Sequence, residues 1–389
     1  MRVGLLCHSG IGGSVRIACA LASELAQRGH TVHVMARRPP VADWLKGTGV
    51  FLHTLLPPAD RCLRAGLNVD WSEDEQAEFR SLVTGVVRTE RLQVLHAHYA
   101  VPFAHFAASL ARRLGQSAPV TIATLHGTDV SVHGRHPTER RLLTESLRAL
   151  AAVTTVSHDH ARLASYLLAL PEPPVVIPNF VDVTRFKPTL SPHSGRPRIV
   201  HVSNFRGVKD PRSLAQVFLA VRERIDAELW LVGDGPTLPA LRTMLSEAGA
   251  GDAVHSFGAT TDVARILSEG DLLLMTSVVE SFCLAAAEAM ACGIPVVATQ
   301  VGGLAEVVRD GVTGHLLPVG AHALTADAVV ELLARPSLRR RVGRAARRQA
   351  ARFAHERIVP LYETLYRDLV SRRGEGDPRP VRAAGEAHR

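Results

Sequence analysis

The sequence predicts an α/β protein of two wound domains, each laid on a parallel sheet, and three observations carry that reading. Short apolar runs alternate with helical patterns along the chain. The alternation starts twice, at Met1 and again at Arg198. A stretch rich in proline and polar residues separates the two starts, and 389 residues suit two cores better than one.

The first start reads as a strand over 1–7, then a loop at Gly10, Gly12 and Gly13. A helix with apolar residues at Ile17, Leu21, Leu25 and Ala26 follows, and Gly29 stops it. Strands are expected over 31–36, 94–97, 120–125 and 153–156. The second start is a strand over 198–203, followed by a helix over 211–224 and a strand over 228–232. After the turn Gly233-Asp-Gly-Pro236, a helix runs to about 248, with strands over 254–257, 271–275 and 295–299. The expected division is 1–180 for the first domain, 181–197 for a connection and 198–357 for the second domain. A helix over 358–370 is expected to return to the first domain. Residues 371–389, without periodicity, are expected to be disordered.

Composition excludes several classes. Hydrophobic residues at 46% and charged residues at 21% mark a globular chain. No apolar run approaches the roughly 20 residues of a membrane span. The apolar start turns polar by Ser9, too soon for a signal peptide, so a cytoplasmic protein is expected. Cysteines at 7, 19, 62, 283 and 292 have neither disulfide-framework nor zinc spacing. His96-Ala-His98 lacks an evident third ligand, so metal is the less favoured reading. The net charge of +8 suits an anionic ligand, but much of the excess lies on one helix, at Arg339, Arg340, Arg341, Arg344, Arg347, Arg348 and Arg352. A solvated arginine face is favoured there over a membrane surface. Without interleaved aromatic residues, nucleic acid is not expected.

Four segments carry candidate chemistry at expected strand ends, where wound sheets bind ligands. In Glu280-Ser-Phe-Cys-Leu-Ala-Ala-Ala-Glu288, Ser281 is the expected N-cap and Gly293 the stop. Glu280 then lies in the loop and Glu288 about two turns into the helix. Only small residues surround Glu288, so its carboxylate calls for an external donor such as a ribose diol. The opposing reading is two surface glutamates on an alanine-rich helix, and the residues alone leave both open. In Ser203-Asn-Phe-Arg-Gly-Val-Lys209, Arg206 and Lys209 can neutralise a diphosphate, against the reading of an exposed basic turn. Gly10 to Ser14 lets backbone approach a ligand, although the spacing is not G-x-G-x-x-G. His126, in Leu125-His-Gly-Thr-Asp129, is either a hydroxyl donor or a structural histidine; His96, His98 and Tyr99 face the same choice. No G-x-S-x-G elbow or P-loop is present.

Taken together these phrases carry a resemblance. The spacing from Glu280 to Glu288 resembles the E-x7-E motif of glycosyltransferase family 4. That family has the GT-B fold, two Rossmann-like domains facing a central cleft. Leu231-Val-Gly-Asp-Gly-Pro236, Gly302-Gly-Leu-Ala-Glu-Val-Val308 and Asp310-Gly-Val-Thr-Gly-His-Leu-Leu-Pro318 are similar to the same family. Gly12-Gly-Ser14, His96-Ala-His-Tyr-Ala-Val-Pro102, Leu125 to Gly134, Pro178-Asn-Phe-Val-Asp182 and Val202 to Lys209 are similar to its members that join N-acetylglucosamine to L-malate, the first step of bacillithiol synthesis. The chain departs from the pattern at Cys283, where a glycine is usual, at Ala305 in place of proline, and from His136 onward.

The resemblance implies a retaining transfer from UDP-N-acetylglucosamine to a small dicarboxylate. No cofactor or metal is expected, because Arg206 and Lys209 take the metal's place. Glu288 would bind the ribose, Glu280 a sugar hydroxyl, and Gly13 would offer an amide to the diphosphate. Asn204, Phe282, Cys283 and Leu284 complete the donor set. His126 would lie near the sugar 6-hydroxyl, with Ser14, Tyr99 and Thr128 on the acceptor. Two alternatives stay open: a membrane-associated enzyme of the same family acting on a lipid or polysaccharide, and a non-catalytic sugar-nucleotide sensor. A homo-oligomer is also left open.

Overall fold

The apolar runs become strands buried on both faces, as parallel sheets covered by helices require. The structure, a computed structural model, describes residues 1–40, 44–57, 71–189 and 195–375. Residues up to Pro178, together with those from Ile358 onward, form one compact unit, and Asn179 to Arg357 form another.

In the first unit the described strands are β1 (Arg2–Leu6), β2 (Thr31–Ala36), β3 (Phe51–Thr54), β4 (Val94–His98), β5 (Val120–Leu125), β6 (Ala152–Thr155) and β7 (Val175–Val176). They are parallel and lie in the order β3-β2-β1-β4-β5-β6-β7. The order reverses between β1 and β4, which opens a crevice at the carboxyl ends of those strands. Helices Glu73–Thr89 and Ala100–Leu114 cover one face. Phe79, Phe103 and Phe106 pack there with Trp71 at ring separations of 5.0 to 6.3 Å.

The last helix, His355–Gly374, is longer than the expected 358–370 and takes in the first residues of the expected disordered tail. The tail beyond 375 lies outside the described residues. From Ile358 the helix is anchored on the first unit. Tyr366 Oη lies 2.6 Å from His96 Nδ1, Glu363 pairs with His30 at 2.8 Å and Arg28 at 3.5 Å, and Arg373 donates to the Pro119 carbonyl at 3.0 Å.

The second unit has β8 (Arg198–Val202), β9 (Glu228–Val232), β10 (Val254–Gly258), β11 (Leu272–Met275), β12 (Val296–Thr299) and β13 (Gly314–Leu317), parallel in the order β10-β9-β8-β11-β12-β13. Its reversal falls between β8 and β11, so the loops after these two strands face each other across a crevice. Part of the expected connection folds onto this unit: the Val181 amide donates to the Phe353 carbonyl at 2.8 Å, and Phe186 is buried. Residues 190–194 of that connection, and Cys62, lie outside the described residues.

Helix Pro336–Ala350 carries the arginines except Arg352, which the expected single helix included but which lies in the 3-10 turn Ala351–Phe353. Arg340, Arg341, Arg344, Arg347 and Arg348 are exposed, although Arg347 donates to the Ala291 carbonyl at 2.8 Å, and half-buried Arg339 pairs with Asp271 at 2.8 Å. No helix among the described residues is long and apolar enough to cross a membrane.

Candidate active site

The loop after β8 is held from below by a histidine that sequence reasoning missed. His201 Nδ1 donates to the Leu274 carbonyl at 2.9 Å, which leaves Nε2 to accept from the Ser203 hydroxyl at 2.9 Å. Ser203 Oγ in turn accepts the Phe205 amide at 3.1 Å. Burial pushes His201 down to about 4, so it is neutral and this chain of donors and acceptors is consistent. Phe205 then turns with φ of 39° and sinks its ring into the core. The turn after β9 presses against this loop. A Cβ on Gly235 would stand 1.9 Å from the Asn204 carbonyl oxygen, and one on Gly233 would stand 1.8 Å from that of Ser203. Glycine is required at both places for the two backbones to approach. Asn204 Oδ1 is buried here and makes no hydrogen bond to the described residues.

Arg206 precedes, and Lys209 ends, the short 3-10 turn Gly207–Lys209 at the end of this loop. The loop after β11 is stitched to it: Thr276 Oγ1 donates to the Lys209 carbonyl at 3.0 Å, and the Val278 amide to the Val208 carbonyl at 2.8 Å. That stitching brings Lys209 Nζ to 2.6 Å from Glu280 Oε1, which also accepts from the Ser277 hydroxyl at 2.8 Å. Burial alone would lower the Lys209 ammonium. The Glu280 carboxylate outweighs it and holds Lys209 above its usual range. Glu280 is fixed from a third side, where its carbonyl accepts the Gly303 amide at 3.1 Å.

The helix that follows corrects the expected cap. It runs over Leu284–Ala291, and its N-cap is Cys283 rather than Ser281. Cys283 adopts a left-handed conformation, φ 69° and ψ 75°, which swings the chain so that its carbonyl accepts the Ala286 amide at 3.1 Å. Glu288 is therefore the fifth helical residue, one turn in rather than two. It is 1% exposed and Glu280's side chain 8%, so the surface-glutamate reading does not hold for either. The N-cap Cys283 makes no side-chain bond to the helix, whose first amides, including that of Leu284, have no intrahelical partner. Phe282 turns its ring inward against Phe353, 5.3 Å away. Burial, and next the Glu280 charge, push the Cys283 thiol far up, so it is inert at neutral pH.

In the first unit, Gly13 and Ser14 open helix Gly13–Gln27, whose N-cap Gly12 supplies no side-chain bond. Tyr99 follows β4 with φ of 77°, and its hydroxyl lies 2.7 Å from Thr128 Oγ1. His126 Nε2 lies 3.1 Å from His98 Nδ1. Burial, then the neighbouring His98, push His126 down to about 3, so it acts as a neutral imidazole. His96 is structural. Both ring nitrogens are engaged, Nδ1 by Tyr366 and Nε2 by Thr124 Oγ1 at 2.7 Å, and burial drives it to about 3.

The structure thus groups Asn204, Arg206, Lys209, Glu280, Cys283, Leu284 and Glu288 around the β8–β11 crevice of the second unit. Gly13, Ser14, Tyr99, His126 and Thr128 lie at carboxyl strand ends of the first. Among the described residues, no three histidine, cysteine or acidic side chains are grouped to hold a metal ion.

Two family models match the chain: Glycosyltransferase Family 4 over residues 11–185 and Glycosyl transferases group 1 over residues 182–349. The chain is 31% identical to N-acetyl-alpha-D-glucosaminyl L-malate synthase of Bacillus anthracis, over 95% of this chain and 97% of that one. It is 29% identical to D-inositol 3-phosphate glycosyltransferase of Arthrobacter sp. (strain FB24), over 93% and 91%. Among solved structures it is similar to Anabaena HepE in complex with UDP and glucose. That match has a TM-score of 0.77 at 19% identity and covers 94% of this chain and 99% of the other.

Proposed function

The chain belongs to glycosyltransferase family 4 and has the GT-B fold, and on that premise we propose that it transfers N-acetylglucosamine from UDP-N-acetylglucosamine to the hydroxyl of L-malate, with retention at the anomeric carbon. The observation that carries the donor half is the buried Lys209–Glu280 pair at the β8–β11 switch point, with Arg206 three residues before it. As the bond from the sugar C1 to the β-phosphate oxygen breaks, its electron pair leaves with UDP. In this reading Arg206 and Lys209 meet that charge, each charge-assisted hydrogen bond being worth about 1.5–3 kcal/mol. They stand where a metal would otherwise be needed.

Glu280 Oε1 is taken by Lys209 and Ser277, so its second oxygen is the one offered to a hydroxyl of the transferred sugar. Glu288 takes the ribose diol, Asn204 Oδ1 accepts from the donor, and the amides at Cys283 and Leu284 donate to it. In the first unit this reading gives the Gly13 amide to a diphosphate oxygen and neutral His126 to the sugar 6-hydroxyl. Ser14, Tyr99 and Thr128 go to the acceptor, whose hydroxyl forms the new bond to C1 while its proton passes to the departing phosphate.

The malate half is supported by the relative matched over nearly the full length of both chains. The test is an acceptor panel with UDP-N-acetylglucosamine: L-malate, D-malate and D-inositol 3-phosphate, read by UDP release and product mass. A GlcNAc–malate product formed from L-malate alone is expected. Turnover on inositol 3-phosphate instead keeps the family and removes malate.

A further inference from the structure

We propose that Asp129, which the roles above leave out, is the positioning residue for the acceptor side of the site, setting His126, Thr128 and Tyr99 through backbone amides. The proposal rests on the transferase reading but not on which acceptor is used. Asp129 is fully buried, and its carboxylate is met by four amides. Oδ2 accepts from Ala100 at 3.2 Å and His126 at 3.0 Å; Oδ1 accepts from Gly127 at 2.8 Å and Val130 at 3.1 Å. A carboxylate has about four lone-pair sites, so the set is full.

These donors belong to two different strand ends. Ala100 follows β4 and stands just ahead of Val101, whose non-helical backbone (φ −100°, ψ 119°) kinks the start of helix Ala100–Leu114, so its amide turns to the Asp129 carboxylate. His126, Gly127 and Val130 belong to the turn after β5. One side chain therefore clamps the ends of two adjacent strands. The residues it brackets are the ones given to sugar and acceptor: Tyr99 stands beside Ala100, and Thr128 sits between Gly127 and Asp129 itself. The clamp is what allows the Tyr99 and Thr128 hydroxyls to meet at 2.7 Å. It also fixes the backbone from which His126 reaches His98. Side chains that must stay within about half an ångström of a working geometry need this kind of rigid support.

Asn in place of Asp would present an amide N–H₂ to two of the four N–H groups, so the clamp opens on one side while shape is kept. For Asp129→Asn, we expect kcat/KM for the acceptor to fall at least thirtyfold. The Kd for UDP, read on the cations of the second unit, should stay within twofold. In a His126→Gln background the same change should cost less than it does alone, because Asp129 acts partly through His126. Should Asp129→Asn fail to fold, Asp129→Glu keeps the charge one methylene farther out and is expected to show the same acceptor-selective loss. All are measured on whichever acceptor the wild-type protein glycosylates, so inactivity on L-malate overturns only the acceptor assignment. Equal losses in acceptor kcat/KM and UDP affinity, full additivity with His126→Gln, or no loss at all would each overturn the positioning role.

Discussion

Lys209 Nζ and Glu280 Oε1 stand 2.6 Å apart across the β8–β11 switch point, and 71 residues of chain separate them. Most of each side chain is out of water, so neither charge is well solvated alone. The pair keeps the cation charged and in place, and it prevents the two loops from splaying.

Removing one partner should therefore act on stability and on catalysis by different routes. Lys209→Met strands the Glu280 carboxylate and is expected to cost up to about 3 kcal/mol of stability. It also removes a charge-assisted bond to the leaving group, so kcat/KM should fall between about ten- and a hundredfold. The double variant Lys209→Met/Glu280→Gln should recover most of the melting temperature and none of the activity. Recovery of both would take Lys209 out of the reaction.

Glu288 makes a different prediction because it is buried on the helix Leu284–Ala291, one turn in from its start. Glu288→Gln keeps the shape and removes the charge that favours a diol. The KM for the sugar nucleotide should rise at least tenfold, with kcat changed less than threefold, the pattern of lost uniform binding. A kcat defect at unchanged KM would move Glu288 from binding to the chemical step.

How far such a site can be read in sequence depends on the reach of the interactions that build it. β1, β5 and β9 are legible because apolar runs between turn signals need no partner to be recognised. β3 and β13 are not among the expected strands, since Phe51 and Leu52 are exposed at a sheet edge and Gly314-His315 breaks the apolar run. Arg206, Lys209, Glu280 and Glu288 are placed at a strand end or helix start by pattern. The contact between Lys209 and Glu280 is invisible until the sheet order is known. His201 is missed for the same reason, since its Leu274 partner lies 73 residues away, and so is the reach of Asp129 to the Ala100 amide 29 residues away, although its other three partners are local. The cap of the motif helix is misplaced because nothing in a cysteine announces a left-handed backbone.

That conformation at Cys283 supports a stability ranking. A residue with a Cβ at φ of 69° carries about 1–2 kcal/mol of backbone strain that glycine does not. Cys283→Ala loses the buried thiol and keeps the strain, whereas Cys283→Gly loses the thiol and relieves it. The glycine variant should be the more stable of the two by about 1 kcal/mol in urea unfolding. An alanine variant that matches or exceeds it would show that the surrounding loop bears no strain at this position.

Acid should destabilise the protein through histidines that fold in the neutral form. His96 is pushed down to about 3 and His201 to about 4, in both cases first by burial. An unfolded histidine titrates near 6.5, so between that pH and the folded values the unfolded chain binds more protons. Their contribution is fully present above about pH 6.5 and is lost as pH falls toward 4, each group adding up to about 1.4 kcal/mol per pH unit. His96→Gln offers Tyr366 and Thr124 a donor and an acceptor that do not titrate. It should lower stability at pH 7 and flatten the fall between pH 6 and 4, measured by urea unfolding across that range. An acid limb as steep as that of the wild-type protein would place the titrating group elsewhere.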